Sequence, residues 1–236
     1  MLRSVVVVGA SLAGLRACEG LRHAGFDGRI TLVGAEPYLP YDRPPLSKEF
    51  LAGASDVDRL ALTSPAKLAG LDLELVLGER ARAVDLATRV VSLASGRAVS
   101  FDGLIVATGA TPRELRGAPR LDGVLTLRRL ADAFRLRALL GVGGVRLVVI
   151  GGGFLGMEVA ATARGLGAQV TVVEPQPTPL ARVVGPLLGR AIAEIHLDHG
   201  VDLRTGVGVE GLVGVGRVEG VRLEGGKIVE ADVVLV

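Results

Sequence analysis

The chain has 236 residues, of which 49% are hydrophobic and 34 are glycine, a composition that favours a compact α/β protein over a disordered one. A formal net charge of only +2 gives no global field that would favour nucleic acid or a membrane surface. Cys18 is the single cysteine, which excludes an intrachain disulfide, a paired-cysteine redox centre and a cysteine-built metal site. Because no apolar run is long enough to span a bilayer and the first residues lack a signal-peptide pattern, we expect a cytoplasmic protein.

A first dinucleotide-binding motif is predicted at the N-terminus. Residues 5–8 form a β-branched run typical of a buried strand, and Gly9, Ser11 and Gly14 follow it ahead of a helical pattern. This is the G-x-G-x-x-G order with serine in the middle, which crowds a phosphate slightly but offers a hydroxyl donor. The acid expected at the end of the second strand is displaced to Glu36. Taken alone, the motif is also compatible with a tight strand-to-helix turn that binds nothing.

The middle of the chain changes its pattern several times. A loop stiffened by prolines leads into a helix predicted over 44–51. Short strands divided by turn residues over 73–101 predict an antiparallel meander packed on the first sheet. Residues 104–113 predict another buried strand, which ends in Thr-Gly, and residues 115–123 are the best linker candidate. A helix with one apolar face is predicted over 130–140.

A complete dinucleotide-binding unit is predicted over 147–174. An apolar strand is followed by Gly151, Gly153 and Gly156, then by a helical stretch, a second β-branched run and the acid Glu174. The glycines allow a sharp turn, a close pyrophosphate and close packing of helix on sheet. Glu174 would accept bonds from the adenosine ribose and repel a 2′-phosphate, and residues 175–177 directly after it include no arginine to hold one, so NADH is favoured over NADPH.

The two motifs form an internal repeat, because the glycines of the first lie at a constant offset from those of the second. We therefore expect an α/β protein with two Rossmann-like three-layer nucleotide-binding domains, each with a small antiparallel β-meander, at 1–114 and 115–236. A helix is predicted over 187–200, and strands over 201–203, 207–209, 218–223, 227–229 and 231–236. His196 and His199 have a metal-compatible spacing but no third ligand nearby, so a structural or surface role is expected and no metal.

The stretch GAEPYLPYDRPPLSK behind a GASLAG loop closely resembles the NADH-dependent ferredoxin reductases that serve Rieske oxygenases and cytochromes P450. These are relatives of the disulfide reductases and of the apoptosis-inducing flavoproteins, but this chain lacks the redox cysteine pair. The resemblance implies FAD in the first site and NADH in the second. It further implies hydride transfer from NADH to the flavin N5 and then single electrons to a [2Fe-2S] ferredoxin as partner, with no nucleic acid or membrane involved.

The resemblance also implies which residues contact each cofactor. The FAD set is Gly9, Ser11, Leu12, Ala13, Gly14, Glu36, Arg43, Pro44, Lys48, Ala81, Ala107, Thr108, Gly109 and Arg128. The NAD set is Gly151, Gly152, Gly153, Phe154, Leu155, Gly156, Glu158 and Glu174. Lys48 and Glu158 are expected to form a catalytic ion pair beside the flavin N5, with Glu158 at a helix N-terminus where the dipole favours its charge. The alternative for Glu158 is a simple helix-terminus acid.

Family members continue beyond the last strand of this chain, so we expect a chain that is truncated at its C-terminus relative to them. One alternative function is therefore a non-catalytic dinucleotide-binding module. Another is a related flavoprotein that reduces rubredoxin, a quinone or a nitrite reductase centre. The sequence leaves the oligomeric state open.

Overall fold

The computed structural model describes residues 2–113, 115 and 119–236. The chain forms two compact units, of which the first comprises Met1–Asp42 and Val57–Ala110 and the second Arg43–Asp56 and Thr111–Val236. The segment Arg43–Asp56 therefore packs with the second unit although it lies early in the sequence. The domains expected at 1–114 and 115–236 stay a prediction. The linker expected at 115–123 includes residues 116–118, which lie outside the described residues.

The first unit combines a parallel sheet with an antiparallel meander. Its elements are β1 (Ser4–Val8), α1 (Leu12–His23), β2 (Arg29–Gly34), α2 (Pro65–Gly70), β3 (Leu73–Leu77), β4 (Ala81–Asp85), β5 (Val90–Leu93), β6 (Ala98–Ser100) and β7 (Gly103–Val106), with a 3-10 turn at Val57–Leu60. The parallel sheet has the order β3-β2-β1-β7, and the meander has the order β4-β5-β6.

The valine run of β1 is buried because both faces of its sheet are covered. Val5 and Val7 belong to a cluster with Cys18 of α1, whereas Val6 and Val8 belong to a cluster with the meander residue Val91. Successive strand residues point to opposite faces, so one face packs on the helix and the other on the meander. The unit therefore has the three layers that the sequence predicts.

The second unit repeats this plan. Its elements are β8 (Val124–Leu125), α3 (Leu130–Leu140), β9 (Arg146–Ile150), α4 (Phe154–Gly165), β10 (Gln169–Glu174), α5 (Ala181–Asp198), β11 (Asp202–Thr205), β12 (Val209–Val213), β13 (Gly220–Leu223), β14 (Ile228–Glu230) and β15 (Val233–Leu235), with a 3-10 turn at Pro44–Ser47. The parallel sheet has the order β11-β10-β9-β15-β8, and β12-β13-β14 form the meander. The predicted fold class is confirmed.

The repeat extends to side chains on neighbouring strands. In the first unit the hydroxyl of Thr31 donates to the carboxylate of Glu74 at 2.9 Å. In the second unit Thr171 donates in the same way to Asp202 at 3.3 Å. Each threonine is paired in register with its acid on the adjacent parallel strand, so the two sheets share a register as well as an order.

Several expected element boundaries are wrong. The helix predicted over 44–51 is only the 3-10 turn at Pro44–Ser47, because Lys48 adopts φ −121° and ψ −110°, outside the helical region. The buried strand predicted over 104–113 ends at Val106 and is only partly buried, since β7 lies at the sheet edge next to β1. The strand predicted over 207–209 lies at Val209–Val213.

Two helices of the second unit match the sequence well. The helix predicted over 130–140 is α3, which buries Leu130, Ala133 and Leu136 along one face. In α5 the backbone is interrupted at Gly185, which has φ 78° and precedes Pro186. The regular part of α5 therefore begins near the start of the helix predicted over 187–200.

Candidate functional sites

The strand-to-helix turn of the first unit requires glycine at two positions. Gly9 has φ +121°, and a Cβ atom there would lie 2.1 Å from the carbonyl oxygen of Ala107. A Cβ atom on Gly14 would lie 1.8 Å from the carbonyl oxygen of Gly9. These contacts are with backbone atoms, so no side-chain movement could relieve them. They also place Ala107, one of the expected cofactor residues, directly against the turn.

The N-terminus of α1 presents backbone donors. Ser11 is the N-cap residue in an extended conformation, and the first bond of the helix runs from the N–H of Leu15 to the carbonyl of Ser11 at 2.9 Å. The N–H groups of Leu12, Ala13 and Gly14 precede that bond and point out of the helix end. This arrangement suits a phosphate, so the residues expected to hold the FAD pyrophosphate fit that group.

The second unit repeats the turn around α4. Gly151 has φ +109°, and a Cβ atom on Gly156 would lie 2.1 Å from the carbonyl oxygen of Gly151. The first helical bond runs from the N–H of Met157 to the carbonyl of Gly153 at 3.0 Å, so the N–H groups of Phe154, Leu155 and Gly156 point out of the helix end. A Cβ atom on Gly153 would meet nothing within 4 Å. The turn is therefore open where a pyrophosphate would approach, and the expected NAD residues fit that group.

Glu174 is held at the end of β10 by two backbone donors. Its Oε2 accepts the N–H of Gly152 at 2.7 Å, and its Oε1 accepts the N–H of Gln176 at 2.8 Å. A carboxylate has about four lone-pair sites, so two remain for ribose hydroxyl groups. Gly152, a residue of the expected NAD set, thus orients this acid through its N–H group, and its expected contact with NAD stays a prediction.

Glu36 is held by a side chain. The hydroxyl of Tyr41, which is buried, donates to Oε2 of Glu36 at 2.6 Å. The displacement of this acid from the strand end has a steric reason, because a Cβ atom on Gly34 would lie 2.6 Å from Cβ of Ala10. Sequence reasoning missed Tyr41, although its place five residues after Glu36 in the proline-stiffened loop was a usable signal.

Lys48 and Glu158 form an ion pair within the second unit. Nζ of Lys48 lies 2.8 Å from Oε2 of Glu158, and both side chains are a little more than one-third exposed. The same oxygen accepts a hydrogen bond from the hydroxyl of Ser47 at 2.6 Å. Ser47 is itself buried, and its carbonyl oxygen accepts a bond from Thr162, one turn beyond Glu158 on α4, at 2.8 Å. Neither Ser47 nor Thr162 was predicted to serve this site.

The position of Glu158 differs from the expectation. It is the fifth residue of α4, whose first turn carries no acid, and the helix dipole acts mainly within the first turn. Burial would raise the pKa of Glu158, but hydrogen bonds from Lys48 and Ser47 and the charge of Lys48 outweigh it and hold the pKa below its ordinary value. Glu158 therefore lies beyond the first turn, where the dipole was expected to act, and the hydrogen bonds from Lys48 and Ser47 favour the charged form of its carboxylate.

Three further residues of the FAD set meet near α3. The guanidinium of Arg43 donates to the carbonyl oxygen of Arg128, and Pro44 opens the 3-10 turn that follows Arg43. The carboxylate of Asp132 accepts the N–H groups of Arg128 and Arg129 at 3.0 and 2.8 Å. The expected contacts of these residues with FAD stay predictions.

The segment that carries Lys48 is anchored by aromatic packing. The buried ring of Phe50 meets Phe134 of α3 edge to face at 5.2 Å, and the guanidinium of Arg137 lies 5.7 Å from its centroid. Both contacts are of the kind that stabilise aromatic side chains beyond simple burial. Helices α3 and α4 therefore both hold this segment in place.

The remaining expected FAD residues lie in the first unit. Ala81 opens β4, and Thr108 and Gly109 follow β7, where Gly109 has φ +71°. Their contacts with a cofactor stay predictions. The FAD set is thus divided between the units, since Arg43, Pro44, Lys48 and Arg128 belong to the second.

His196 of α5 and His199, the C-cap residue of that helix, face backbone carbonyls. The ring nitrogens of His196 lie 2.9 Å from the oxygen of Ile192 and 3.2 Å from that of Met157, and a ring nitrogen of His199 lies 2.7 Å from the oxygen of Ile195. In the described part of the chain, no group of three metal-ligating side chains is found. Over the same residues, no helix has the length and apolar character to cross a membrane.

Known proteins resemble the whole of this chain. A probable ferredoxin reductase, CtmF, of Castellaniella defragrans is 40% identical over 98% of the chain and 57% of its own length. Putidaredoxin reductase CamA of Pseudomonas putida is 38% identical over 98% of the chain and 56% of its own length. The crystal structure of a covalent putidaredoxin reductase–putidaredoxin complex matches with a TM-score of 0.93 at 38% identity, over 99% of the chain and 57% of the matched one.

The chain thus spans less than two-thirds of the length of these relatives. The model of one family, described as pyridine nucleotide-disulphide oxidoreductase, matches residues 3–236. The two glycine turns of the dinucleotide-binding kind, on matching sheets, agree with this match. The chain belongs to the pyridine nucleotide-disulphide oxidoreductase family.

Proposed function

We propose that this chain is the dinucleotide-binding part of an FAD-dependent NADH:ferredoxin oxidoreductase. The observation that carries the proposal is the 2.8 Å ion pair between Lys48 and Glu158. It joins the proline-stiffened loop to the helix that starts at the second glycine turn. Two relatives, named as a probable ferredoxin reductase at 40% identity and as putidaredoxin reductase at 38% identity, support the same activity.

Two dinucleotides are assigned to the two turns. FAD would bind at Gly9–Gly14 through the N–H groups at the start of α1, and NADH at Gly151–Gly156 through those at the start of α4. Glu174 would accept the ribose hydroxyls of NADH, and its charge would repel the 2′-phosphate of NADPH. This assignment is supported by the open approach to Gly153 and by the fixed carboxylate of Glu174.

When bound, FAD supplies hydride-accepting and one-electron-donating chemistry that no amino acid side chain offers. The residues of this chain would bind and orient the two dinucleotides and would stabilise the charge that develops in the reaction. Lys48 and Ser47 share one carboxylate oxygen of Glu158, which fixes the ammonium group of the lysine. A fixed positive charge of this kind stabilises negative charge that develops on a nearby reacting group.

Thiol chemistry has no place in this chain. Burial raises the pKa of the Cys18 thiol to about 11, so at neutral pH it is protonated and a poor nucleophile. It is also the only cysteine. These 236 residues therefore contribute no dithiol to the proposed reaction.

The proposed electron acceptor is a [2Fe-2S] ferredoxin, and the proposed location is the cytoplasm. In the matched crystal structure, putidaredoxin reductase is in a covalent complex with putidaredoxin, which supports this class of acceptor. A rubredoxin, a quinone or a nitrite reductase centre is the alternative acceptor. A dinucleotide-binding module without turnover is the alternative function.

Visible absorption of the purified chain tests the proposal. We expect a yellow protein whose flavin band bleaches with NADH and much less with NADPH, and which then reduces an added [2Fe-2S] ferredoxin. A colourless chain that binds NADH would favour the module. A yellow chain that bleaches with NADH but reduces only a quinone or rubredoxin would overturn the proposed acceptor.

A further inference from the structure

The carboxylate of Glu174 belongs to a connected set of three hydrogen bonds. One oxygen accepts the N–H of Gly152 at 2.7 Å and the other accepts the N–H of Gln176 at 2.8 Å. The carbonyl of Gly152 in turn accepts the N–H of Leu180 at 2.9 Å. We call these three partners, Gly152, Gln176 and Leu180, the Glu174 bracket.

The bracket is tightly packed as well as hydrogen bonded. A Cβ atom on Gly152 would lie 3.2 Å from Cβ and Cγ of Glu174 and 3.2 Å from Cβ of Pro179. The residues between Gln176 and Leu180 include Pro177 and Pro179, whose rings fix φ and limit other conformations of the loop. Glu174 is therefore confined by backbone on both sides.

Leu180 closes the bracket in a conformation that leucine rarely adopts. It has φ 56° and ψ 12°, in the left-handed region, where a Cβ atom crowds the following carbonyl. The side chain is buried, with 8% exposed, and the carbonyl accepts the N–H groups of Val183 and Val184 at 2.8 and 3.0 Å. Strained residues of this kind persist where the surroundings over-determine them, and they cluster at ligand clamps.

We propose that Leu180 is a positioning residue for nucleotide selectivity, because its left-handed conformation holds Gly152 and, through it, the carboxylate that distinguishes NADH from NADPH. The proposal rests on the proposed role of Glu174 in NADH binding. With the bracket intact, the carboxylate stays where it accepts ribose hydroxyls and repels a 2′-phosphate. With the bracket open, the carboxylate rotates away, loses the hydroxyls and makes room for the phosphate.

The decisive experiment compares the affinity of the chain for NADH and for NADPH by nucleotide fluorescence titration. Leu180→Pro removes the N–H donor and cannot adopt φ 56°. We expect the dissociation constant for NADH to rise roughly three- to tenfold, with that for NADPH unchanged or lower. A residue that is merely structural would change both constants by the same factor, so equal changes, or an unchanged NADH constant, would overturn the proposal.

A matched pair keeps the test decisive if Leu180→Pro fails to fold. Leu180→Gly and Leu180→Ala both remove the buried side chain, but only glycine adopts the left-handed region without strain. We expect Leu180→Gly to keep a ratio of the two dissociation constants closer to that of the wild type than Leu180→Ala does. Equal ratios in the pair would contradict the bracket.

Measurements on the wild-type chain distinguish a failure of the proposed function from a failure of the proposed role of Leu180. A wild-type chain that binds neither nucleotide overturns the proposed function, and the inference falls with it. A wild-type chain that prefers NADH, with the same preference in all three variants, contradicts only the role of Leu180.

Discussion

The two glycine turns share their backbone but differ in how each holds its acid. In the first unit the N–H of Gly9 donates to the carbonyl of Val33, and in the second Gly151 donates to Val173, both at 2.8 Å. The backbone turn is therefore the part that the two copies share. The residues around the turn differ between the two copies, and a preference for one dinucleotide can arise from these differences.

The strand ends show this divergence most clearly. In the second unit the strand ends in Glu174, and the facing residue is Gly152, which leaves room for the acid. In the first unit the corresponding residues are Gly34 and Ala10, whose methyl group fills the space. The side-chain volume has moved from the strand to the turn, so the acid of the first unit must come from further along the chain.

The helices that follow the turns also differ at one matching position. Glu158 of α4 corresponds in the repeat to Arg16 of α1. Arg16 pairs with Glu19 of its own helix at 2.5 Å, an exposed local contact of little energetic value. Glu158 instead pairs with Lys48, which lies far away in sequence, and this links the second copy of the turn to the proline-stiffened loop.

The largest expected effect comes from breaking the first turn. Gly9→Ala places a methyl group 2.1 Å from a backbone oxygen at φ +121°, whereas Gly151→Ala at φ +109° meets nothing within 4 Å. We expect a loss of roughly 3 kcal/mol or more for Gly9→Ala and about 1–3 kcal/mol for Gly151→Ala. Denaturant unfolding followed by circular dichroism measures both, since the chain has no tryptophan. Equal losses would show that the close backbone approach at Gly9 does not matter.

The ion pair comes next. Lys48→Met and Glu158→Gln should each slow NADH-dependent flavin reduction in the flavin-loaded protein by about 10- to 100-fold. The first variant removes the ammonium charge, and the second removes the carboxylate that fixes its position. Stopped-flow absorbance at the flavin band measures the rate. Lys67→Met, on the exposed surface of α2, is the matched control and should react at the wild-type rate. Wild-type rates in both ion-pair variants would remove Lys48 and Glu158 from the mechanism.

A smaller effect is expected at the acid of the first unit. Tyr41→Phe removes the hydroxyl that donates to Glu36 at 2.6 Å, and we expect FAD to bind roughly three- to tenfold more weakly. Affinity for NADH should not change, because Glu174 is held by other groups. Titration of flavin-free protein with FAD gives the dissociation constant, and Tyr38→Phe, whose ring meets that of Tyr41 edge to face, is the control. Equal FAD affinity in wild type and Tyr41→Phe would contradict this role of the hydroxyl.

The smallest effect concerns the acids that precede β7 and β15. The guanidinium of Arg146 donates to Asp232 and, although burial opposes it, lowers the pKa of that carboxyl from 3.8 to about 2. Asp102 accepts the N–H of Arg3 and the hydroxyl of Ser4, and its pKa is also held below the ordinary value, mainly by the Arg3 N–H.

A carboxyl group whose pKa is lower in the folded than in the unfolded state stabilises the fold at pH values above its unfolded-state pKa. This contribution is lost as the pH falls through the folded-state pKa. The difference in unfolding free energy between wild type and Asp232→Asn should therefore be largest above about pH 4 and should decrease between about pH 4 and pH 2. Unfolding free energies of wild type and variant across this range measure it. Asp102→Asn should show the same trend with a smaller amplitude, and a pH-independent difference for Asp232→Asn would rule out the charge as its source.

Much of the fold could be predicted from local pattern. The valine run of β1, the strand β9 and the apolar face of α3 follow from alternation and helical spacing alone. The helix predicted over 44–51 was wrong because a contact with a residue far away in sequence, and not the local pattern, accompanies the backbone conformation there. Its composition allows a helix, but Lys48 leaves the helical region where its ammonium group meets Glu158.

The sequence by itself determined the two glycine turns, because only glycine tolerates φ +121° at Gly9 and the approach of 1.8 Å at Gly14. These requirements are local, so they are visible in the order of the residues. Only the tertiary structure decided that Ser47 would share the carboxylate of Glu158 and that Leu180 would hold Gly152. Such hydrogen bonds join residues that are far apart in sequence, and their geometry depends on how helices and loops pack, which no local pattern of residues encodes.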